Sequence, residues 1–186
     1  MARHSDYPID ELFLNRWSPR AFAEKKVPTE TLYSILEAAR FAPSASNFQP
    51  WRFVIAQTDE ELETFAEFIL PGNRLWTDHK VPVLILLLSD KYRPNGEPNP
   101  YHSFDAGAAW QNLALQAHKL GLVTHAMGGF DKAKARELLQ IPEQFEVLTL
   151  IALGYQGDKN ELPEQLQERE MPNDRRPLSE SIVSFK

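Results

Sequence analysis

The sequence predicts an α/β or α+β fold in which a sheet is covered by helices on both sides. Three apolar segments have the length and composition of strands, and segments with helical periodicity separate them. One of these strands, Val83–Ser89, is apolar throughout, which is typical of a strand buried on both faces. Strands that alternate with helices along a chain indicate a sheet packed between helical layers.

The helices follow from the spacing of apolar residues. In the first helix, four apolar residues lie on one face because they are three or four positions apart: Leu32, Ile35, Leu36 and Ala39. Thr29 is the expected N-cap of this helix, and Pro43 lies beyond its end. A second helix is expected at about Glu60–Leu70.

Two further helices have clear end signals. The third is expected at about Phe104–Leu120, since Gly121 directly after it is a residue that ends helices. The fourth should begin after Asp131, an effective N-cap, and end near Gln140, before Pro142.

The remaining segments are marked by their composition. Besides Val83–Ser89, strands are expected at Arg52–Gln57 and Val147–Leu153. The proline-rich stretch Lys91–Tyr101 predicts an exposed loop. The polar stretch Gly157–Arg176 predicts an extended arm outside the compact body, with a flexible tail as the alternative.

Length and composition limit the class of protein. The 186 residues fit a single domain, 1–186, with 20 basic and 26 acidic residues and a net charge of −6. This acidity argues against a nucleic-acid-binding protein, which needs a concentrated basic face. The longest apolar run, Val81–Leu88, is too short to span a bilayer, and the N-terminus lacks the apolar segment of a signal peptide. We therefore expect a soluble, cytoplasmic protein with no nucleic-acid or membrane partner.

Several kinds of catalytic site are excluded. The chain has no cysteine, which excludes disulfides, thiolate metal sites, iron–sulfur clusters and a cysteine nucleophile. It lacks the glycine-rich motifs of Rossmann folds and P-loops and the G-x-S-x-G motif of hydrolases. The five histidines have no partner at metal-ligand spacing, so each fits a surface or core position more readily. No metal site is predicted.

Three local clusters could carry chemistry. In the first, Arg16–Arg20, two guanidinium groups flank Ser18, and in an extended backbone the two arginines point the same way. Arginine forks match phosphate oxygens, and the serine adds a further donor. The alternative is an ordinary basic surface segment.

The second cluster, Ala42–Trp51, joins the first helix to the first strand. Its Asn47 and Gln49 side chains offer donors and acceptors that suit a flat heterocycle, although a turn-rich connector has a similar composition. The third cluster, Met127–Asp131, contains two glycines that would let the backbone approach a ligand closely. By itself it fits a simple turn between a strand and a helix better.

In order and spacing, these clusters resemble those of the nitroreductase family of FMN-dependent oxidoreductases. The resemblance extends over nearly the whole chain. The segments that carry it are RWSPRAF (Arg16–Phe22), EAARFAPSASNFQPWRF (Glu37–Phe53), GNRLW (Gly72–Trp76), VPVLI (Val81–Ile85), DAGAAWQNLALQAHKLGL (Asp105–Leu122), GGFD (Gly128–Asp131), LIALGY (Leu150–Tyr155) and RRPLSE (Arg175–Glu180).

The resemblance implies an α+β sandwich with a central, mainly antiparallel sheet flanked by helices. It also implies an intertwined homodimer with FMN at the subunit interface, and a C-terminal arm, residues 157–186, that reaches the partner subunit. NAD(P)H would be the reductant and an electron-poor small molecule, such as a nitroaromatic or a quinone, the acceptor in a ping-pong mechanism. A flavin-binding carrier or sensor without turnover is one alternative, and a related flavin-dependent dehydrogenase or dehalogenase is another.

The same resemblance implies the site residues. Those expected to contact FMN are Arg16, Trp17, Ser18, Arg20, Pro43, Ser44, Ala45, Asn47, Gln49, Asn73, Met127, Gly128, Gly129, Arg175 and Arg176. Those expected to line the acceptor pocket are Phe48, Trp76, Tyr101 and Phe104. Which of Arg175 and Arg176 contacts the phosphate stays open. Some members of the family have a lysine near the position of Trp76, and many have an acidic residue at that of Gly128. No side-chain acid or base is required, so no catalytic residue is expected.

Overall fold

The computed structural model describes residues 3–78 and 80–184, and its centre is a four-stranded sheet. The strands are β1 (Trp51–Ala56), β2 (Val83–Asp90), β3 (Val123–Met127) and β4 (Phe145–Gly154). Their order across the sheet is β1-β2-β4-β3, and every neighbouring pair is antiparallel. The α+β fold class with an antiparallel sheet is therefore confirmed.

Helices cover both faces of this sheet. Within the described residues the α-helices are α1 (Glu11–Asn15), α2 (Thr29–Arg40), α3 (Asp59–Ala66), α4 (Pro71–Thr77), α5 (His102–Lys119), α6 (Lys132–Leu138) and α7 (Glu164–Gln167). Short 3-10 turns occur at Ala45–Asn47, Lys159–Glu161 and Leu178–Ser181. None of the helices in the described part of the chain combines the length and apolarity that crossing a membrane requires.

Strand β2 divides the hydrophobic core into two halves, because its side chains alternate between the faces of the sheet. Val83, Ile85 and Leu87 belong to the half formed with α2 and α5. The even-numbered residues of Leu84–Leu88 belong to the half formed with α3, α4 and α6. All of them are buried, which explains why the strand is apolar throughout.

One strand and one helix cap differ from the prediction. Strand β3, Val123–Met127, was not predicted, because a five-residue segment with a threonine and a histidine carries little strand signal. It lies at the edge of the sheet and pairs with β4. Thr29 is the first residue of α2 rather than its N-cap; Pro28 occupies the cap position, without a side-chain hydrogen bond.

The helix predicted at Glu60–Leu70 is shorter than expected. It ends at Ala66, because Ile69 bridges to Phe130 in antiparallel fashion and so needs extended backbone. A new helix, α4, then begins at Pro71, where the missing proline N–H breaks no helical hydrogen bond. This break places the start of α4 beside the segment that follows β3.

The chain after β4 begins as part of the compact body. Gly157 lies against Phe22, where a Cβ atom would come within 2.5 Å of backbone atoms. Leu162 and Leu166 are buried in the core, so the arm predicted at Gly157–Arg176 is wrong for its first half. Two leucines in a polar stretch are enough to anchor it. That residues 157–186 reach a partner subunit stays a prediction, and residues 185 and 186 lie outside the described residues.

Candidate functional site

Three arginines gather where the N-terminal and C-terminal segments meet. The Arg3 guanidinium donates through Nη1 to the Arg16 carbonyl (2.5 Å) and through Nε to the Asn173 carbonyl (2.8 Å). Arg16 is half-buried; burial, and then the positive charges of Arg3 and Arg175, lower its pKa. We call Arg3, Arg16 and Arg175 the arginine cluster. No described carboxylate forms an ion pair with any of the three. Such a concentration of charge fits an anion.

A buried carboxylate holds the neighbouring Arg16–Arg20 segment. Oε1 of Glu170 accepts the backbone N–H groups of Arg20 (2.7 Å) and Ala21 (2.8 Å). Within the segment, Nη1 of Arg16 lies 3.4 Å from the Ser18 hydroxyl oxygen. The C-terminal segment thus fixes the backbone from which the predicted phosphate ligands project.

His125, on β3, connects this segment to a second group of site residues. Its Nδ1 donates to the Pro19 carbonyl (3.0 Å), and its ring lies 4.8 Å from that of Trp76. Burial lowers the pKa of His125, so the imidazole is neutral near pH 7. Trp76 in turn donates its indole N–H to Oδ1 of Asn73 (3.3 Å). A continuous chain of contacts therefore runs from the first predicted cluster to Asn73.

Asn73 and Gly129 form a compact corner just after β3. Nδ2 of Asn73 and the backbone N–H of Leu70 both donate to the Gly129 carbonyl, each over 3.1 Å. A Cβ atom at Gly129 would lie 2.5 Å from Nδ2 of Asn73, so any side chain there would displace the Asn73 amide. At Gly128 a Cβ atom would meet nothing within 4 Å, so the space beside it is open. The Gly129 N–H has no acceptor in the described part of the chain.

Trp76 lies in the core and not on the surface of a pocket. It is 4% exposed and stacks on Phe22, with ring centroids 6.0 Å apart. The expectation that Trp76 lines an acceptor pocket does not fit this burial; its indole N–H positions Asn73 instead. Met127 is also buried, in the half of the core that α3, α4 and α6 form.

The Ala42–Trp51 loop has an unusual backbone. Ser46, Asn47 and Gln49 have φ angles of 50°, 57° and 50°, in the left-handed region that residues other than glycine rarely adopt. Such conformations cost free energy and persist where the surroundings enforce them, often at functional sites. Here the buried Asp105 carboxylate accepts the N–H of Ala45 (3.1 Å).

Hydrogen bonds within the loop fix it further. Ser44 Oγ accepts the Gln49 N–H (3.1 Å), and Nε2 of Gln49 donates to the Asn47 carbonyl (2.9 Å). The Gln49 amide is therefore partly engaged inside the loop. Pro43 and Asn47 are exposed and face outward from it.

Within a single chain, the Ala42–Trp51 loop lies far from the arginine cluster, because the two are at opposite ends of α5. The loop is bonded to Asp105, in the first turn of the helix. Arg16 and Trp17 line a recess of about 140 Å³ together with His118, in the last turn. Asp105 and His118 are 13 residues apart in α5, which corresponds to about 20 Å along the axis.

The remaining predicted residues fall near one or the other group. Arg175 lies in the arginine cluster, whereas Arg176 is 87% exposed and lies 4.0 Å from Glu180. Tyr101 and Phe104 stand at the start of α5, the end that holds the loop; both are exposed, Phe104 by 80%. Phe48 is half-buried within the loop itself.

Sequence reasoning missed four residues that build the site: Arg3, Asp105, His125 and Glu170. Arg3 and Glu170 contact the Arg16–Arg20 segment from the two ends of the chain. Asp105 is buried and His125 half-buried, and the partners of both are distant in sequence. No local pattern marks such residues. Within the described ranges, no group of three or more histidines and carboxylates could hold a metal ion.

Comparisons with known proteins show which family the chain belongs to. A family model described as the Nitroreductase family matches residues 14–75 and 73–155. A solved structure described as an oxidoreductase containing FMN is 46% identical, with a TM-score of 0.94 over 99% of this chain and 95% of the other.

Two curated relatives align with most of the chain. A protein of Archaeoglobus fulgidus with the provisional name NADH dehydrogenase/NAD(P)H nitroreductase is 32% identical, over 83% of this chain and 88% of the relative. An iodotyrosine deiodinase of Thermotoga neapolitana is 28% identical, over 80% of this chain and 88% of the relative. Since the family model matches well over half of the residues, the chain belongs to the nitroreductase family.

Proposed function

We propose that the protein is an FMN-dependent oxidoreductase that takes a hydride from NAD(P)H and reduces an electron-poor acceptor, such as a nitroaromatic or a quinone. One observation carries the proposal: the array of contacts that runs from the Arg16–Arg20 segment, which includes one arginine of the arginine cluster, through His125 and Trp76 to the Asn73–Gly129 corner. It offers cations at one end and an amide, a backbone N–H and open space at the other. The similar structure that contains FMN and the nitroreductase names of the relatives support this reading.

The residues present suit FMN. The arginine cluster and the Arg16–Arg20 segment would hold its phosphate through charge-assisted hydrogen bonds. The Asn73–Gly129 corner would face the ring system, with Gly128 leaving room for it. Bound FMN would supply the redox chemistry, accepting a hydride from NAD(P)H and passing the electrons to the acceptor. The protein groups would bind and orient the cofactor, and none is required as an acid or base.

We further propose that two copies of the chain complete each site. The Ala42–Trp51 loop of one copy would supply the contacts that lie about 20 Å from the arginine cluster within a single chain. Large exposed apolar side chains support such an interface. They include Tyr33, Phe41, Phe104, Ile182 and Val183, each more than half exposed.

A mixed dimer tests this arrangement. Arg16→Ala and Asn47→Ala homodimers should both bind FMN weakly. Co-expression with two affinity tags would yield a heterodimer in which one site has both defects and the other has none. That heterodimer should bind close to one FMN per dimer with wild-type affinity. If each site belongs to one chain, no intact site forms and FMN affinity stays low.

The absorbance spectrum of the purified protein tests the cofactor. We expect the bands of an oxidised flavin and, after heat release, a species that behaves as FMN. NADH or NADPH should bleach these bands and a quinone should restore them; parallel double-reciprocal plots would show a ping-pong mechanism. A colourless protein that fails to bind added FMN refutes the enzyme proposal, and flavin that no nicotinamide reduces favours a carrier or sensor.

The deiodinase relative favours one alternative reaction, reductive dehalogenation. Iodide release from 3-iodotyrosine, with the protein in its reduced form, would identify it. If nitroaromatics or quinones reoxidise the flavin and no iodide appears, the first proposal stands.

A further inference from the structure

A polar recess of about 320 Å³ lies beside the Ala42–Trp51 loop, outside the proposed FMN contacts. The ends of β1 and β2 and the Lys91–Tyr101 loop form its other walls. The side chains that matter for its chemistry are Phe48, Arg52, Asp90, Tyr92 and Arg93.

Arg52 gives the recess a fixed positive charge. Its Nη1 donates to the carbonyls of Gln49 (3.0 Å) and Trp51 (2.8 Å), which holds the guanidinium in place. Arg52 forms no ion pair with any residue that the structure describes. Asp90, the carboxylate of the recess, already accepts the backbone N–H of Tyr92 (3.1 Å). The rest of the Arg52 guanidinium therefore remains available to an anion.

Arg93 adds a buried donor that has no acceptor. Its Nη1 lies 3.3 Å from the exposed Glu97 carboxylate, but its Nε is buried and unbonded among the described residues. Solvent does not reach this Nε, so an anion entering the recess would bind at the other guanidinium nitrogens of Arg93, whose side chain is 33% exposed. The same guanidinium lies 5.9 Å from the Phe48 ring, within cation–π range. Arg93 and Phe48 together offer a charged group and a flat apolar face.

The recess adjoins the proposed cofactor contacts. Phe48 stands between Asn47 and Gln49, two of the loop residues with left-handed backbone. A molecule with its anionic group at Arg93 could extend past Phe48 toward the flavin that the loop helps to bind. The extension of such a molecule toward a flavin rests on the proposed function.

We propose that the recess binds the carboxylate or phosphate group of one of the two substrates. The unpaired Arg52 guanidinium and the exposed part of Arg93, which also faces the Glu97 carboxylate, attract negative charge, and Phe48 and Tyr92 favour a planar ligand. The anion could belong to an aromatic acceptor or to the phosphate groups of the reductant. The recess would then determine which acceptors, or which nicotinamide cofactor, the enzyme prefers.

Steady-state kinetics with matched substrates test the proposal. The acceptors are 4-nitrobenzoate and its neutral analogue 4-nitrobenzamide, the reductants are NADPH and NADH, and the variants are Arg93→Gln and Arg52→Gln. Lys159→Gln, an exposed position outside the recess, controls for the change in net charge. We expect each recess variant to raise the KM for one anionic substrate about tenfold, as loss of a charge-assisted contact does. The KM for 4-nitrobenzamide should stay within about twofold.

The pattern of KM values identifies the source of the anion. A rise confined to 4-nitrobenzoate assigns the recess to the acceptor, and a rise confined to NADPH, or shared by NADPH and NADH, assigns it to the reductant. If neither recess variant changes any of these KM values more than Lys159→Gln does, the proposal is wrong.

Flavin content, measured first in every preparation, separates this proposal from the previous one. A protein that never binds FMN refutes the proposed function but still allows calorimetric titration with 4-nitrobenzoate and with adenosine 2′-phosphate. Binding that Arg93→Gln abolishes would support the anion recess, and the absence of binding by the wild-type protein would overturn it.

Discussion

Replacing Glu170 by alanine would release the segment that carries the predicted phosphate ligands. Its Oε1 accepts two backbone N–H groups, from Arg20 at 2.7 Å and Ala21 at 2.8 Å, and the residue is 7% exposed. Hydrogen bonds to a charged group contribute about 1.5–3 kcal/mol each. Oε2 is buried without a hydrogen-bond partner among the described residues, and that desolvation offsets part of the gain. We therefore expect Glu170→Ala to lower the free energy of unfolding by about 2–4 kcal/mol.

Urea unfolding at one fixed protein concentration measures this change. Glu170→Gln keeps a carbonyl oxygen that can accept the same two N–H groups, so it should lose only about half as much. Glu168→Ala, two residues earlier and exposed, is the matched control and should stay within about 0.5 kcal/mol of the wild type. If Glu170→Ala also stays within that range, the carboxylate does not hold the segment and the argument from its hydrogen bonds is refuted.

Three further predictions concern other parts of the site. Because burial lowers the pKa of His125 from its ordinary 6.5, the stability it contributes is present above about pH 6.5 and lost as the pH falls toward the lowered value; His125→Asn should flatten that loss in urea titrations between about pH 7 and pH 5, and an unchanged slope would contradict this. Arg16→Met should weaken FMN binding about tenfold or more while leaving riboflavin, which lacks the phosphate, nearly unaffected, with Lys159→Met, at an exposed position outside the site, as the control; equal losses for both ligands in a fluorescence titration would exclude a phosphate contact. Gly129→Ala should lower the melting temperature and flavin content because its Cβ atom would meet Asn73, whereas Gly128→Ala has space; identical melting curves for the two variants would rule out the close contact.

Much of the fold was predictable because its signals are local. Apolar spacing located α2, and Gly121 ended α5 as expected, with a φ of 76° that suits glycine. The uninterrupted apolar run of β2 predicted a strand covered on both faces. The helix predicted up to Leu70 ended early, because pairing between Ile69 and Phe130 overrode its helical preference.

The site was predictable as a set of motifs and not as an arrangement. Type and spacing predicted the arginines of the first cluster as phosphate ligands, which stays a prediction, but nothing local linked Arg3 or Glu170 to them. The family resemblance led us to expect Trp76 in the acceptor pocket, whereas its burial against Phe22 makes it a support for Asn73.

The sequence by itself determined which residue types were available and where the chain turns. Periodicity and turn residues act over a few neighbours, and these neighbours are visible in the sequence. Only the tertiary structure decided which groups meet: a carboxylate with backbone N–H groups 150 residues away, and a left-handed loop held by Asp105. It also placed that loop and the arginine cluster at opposite ends of α5. The order of the motifs along the chain gives no distance between them, whereas the length of the helix does.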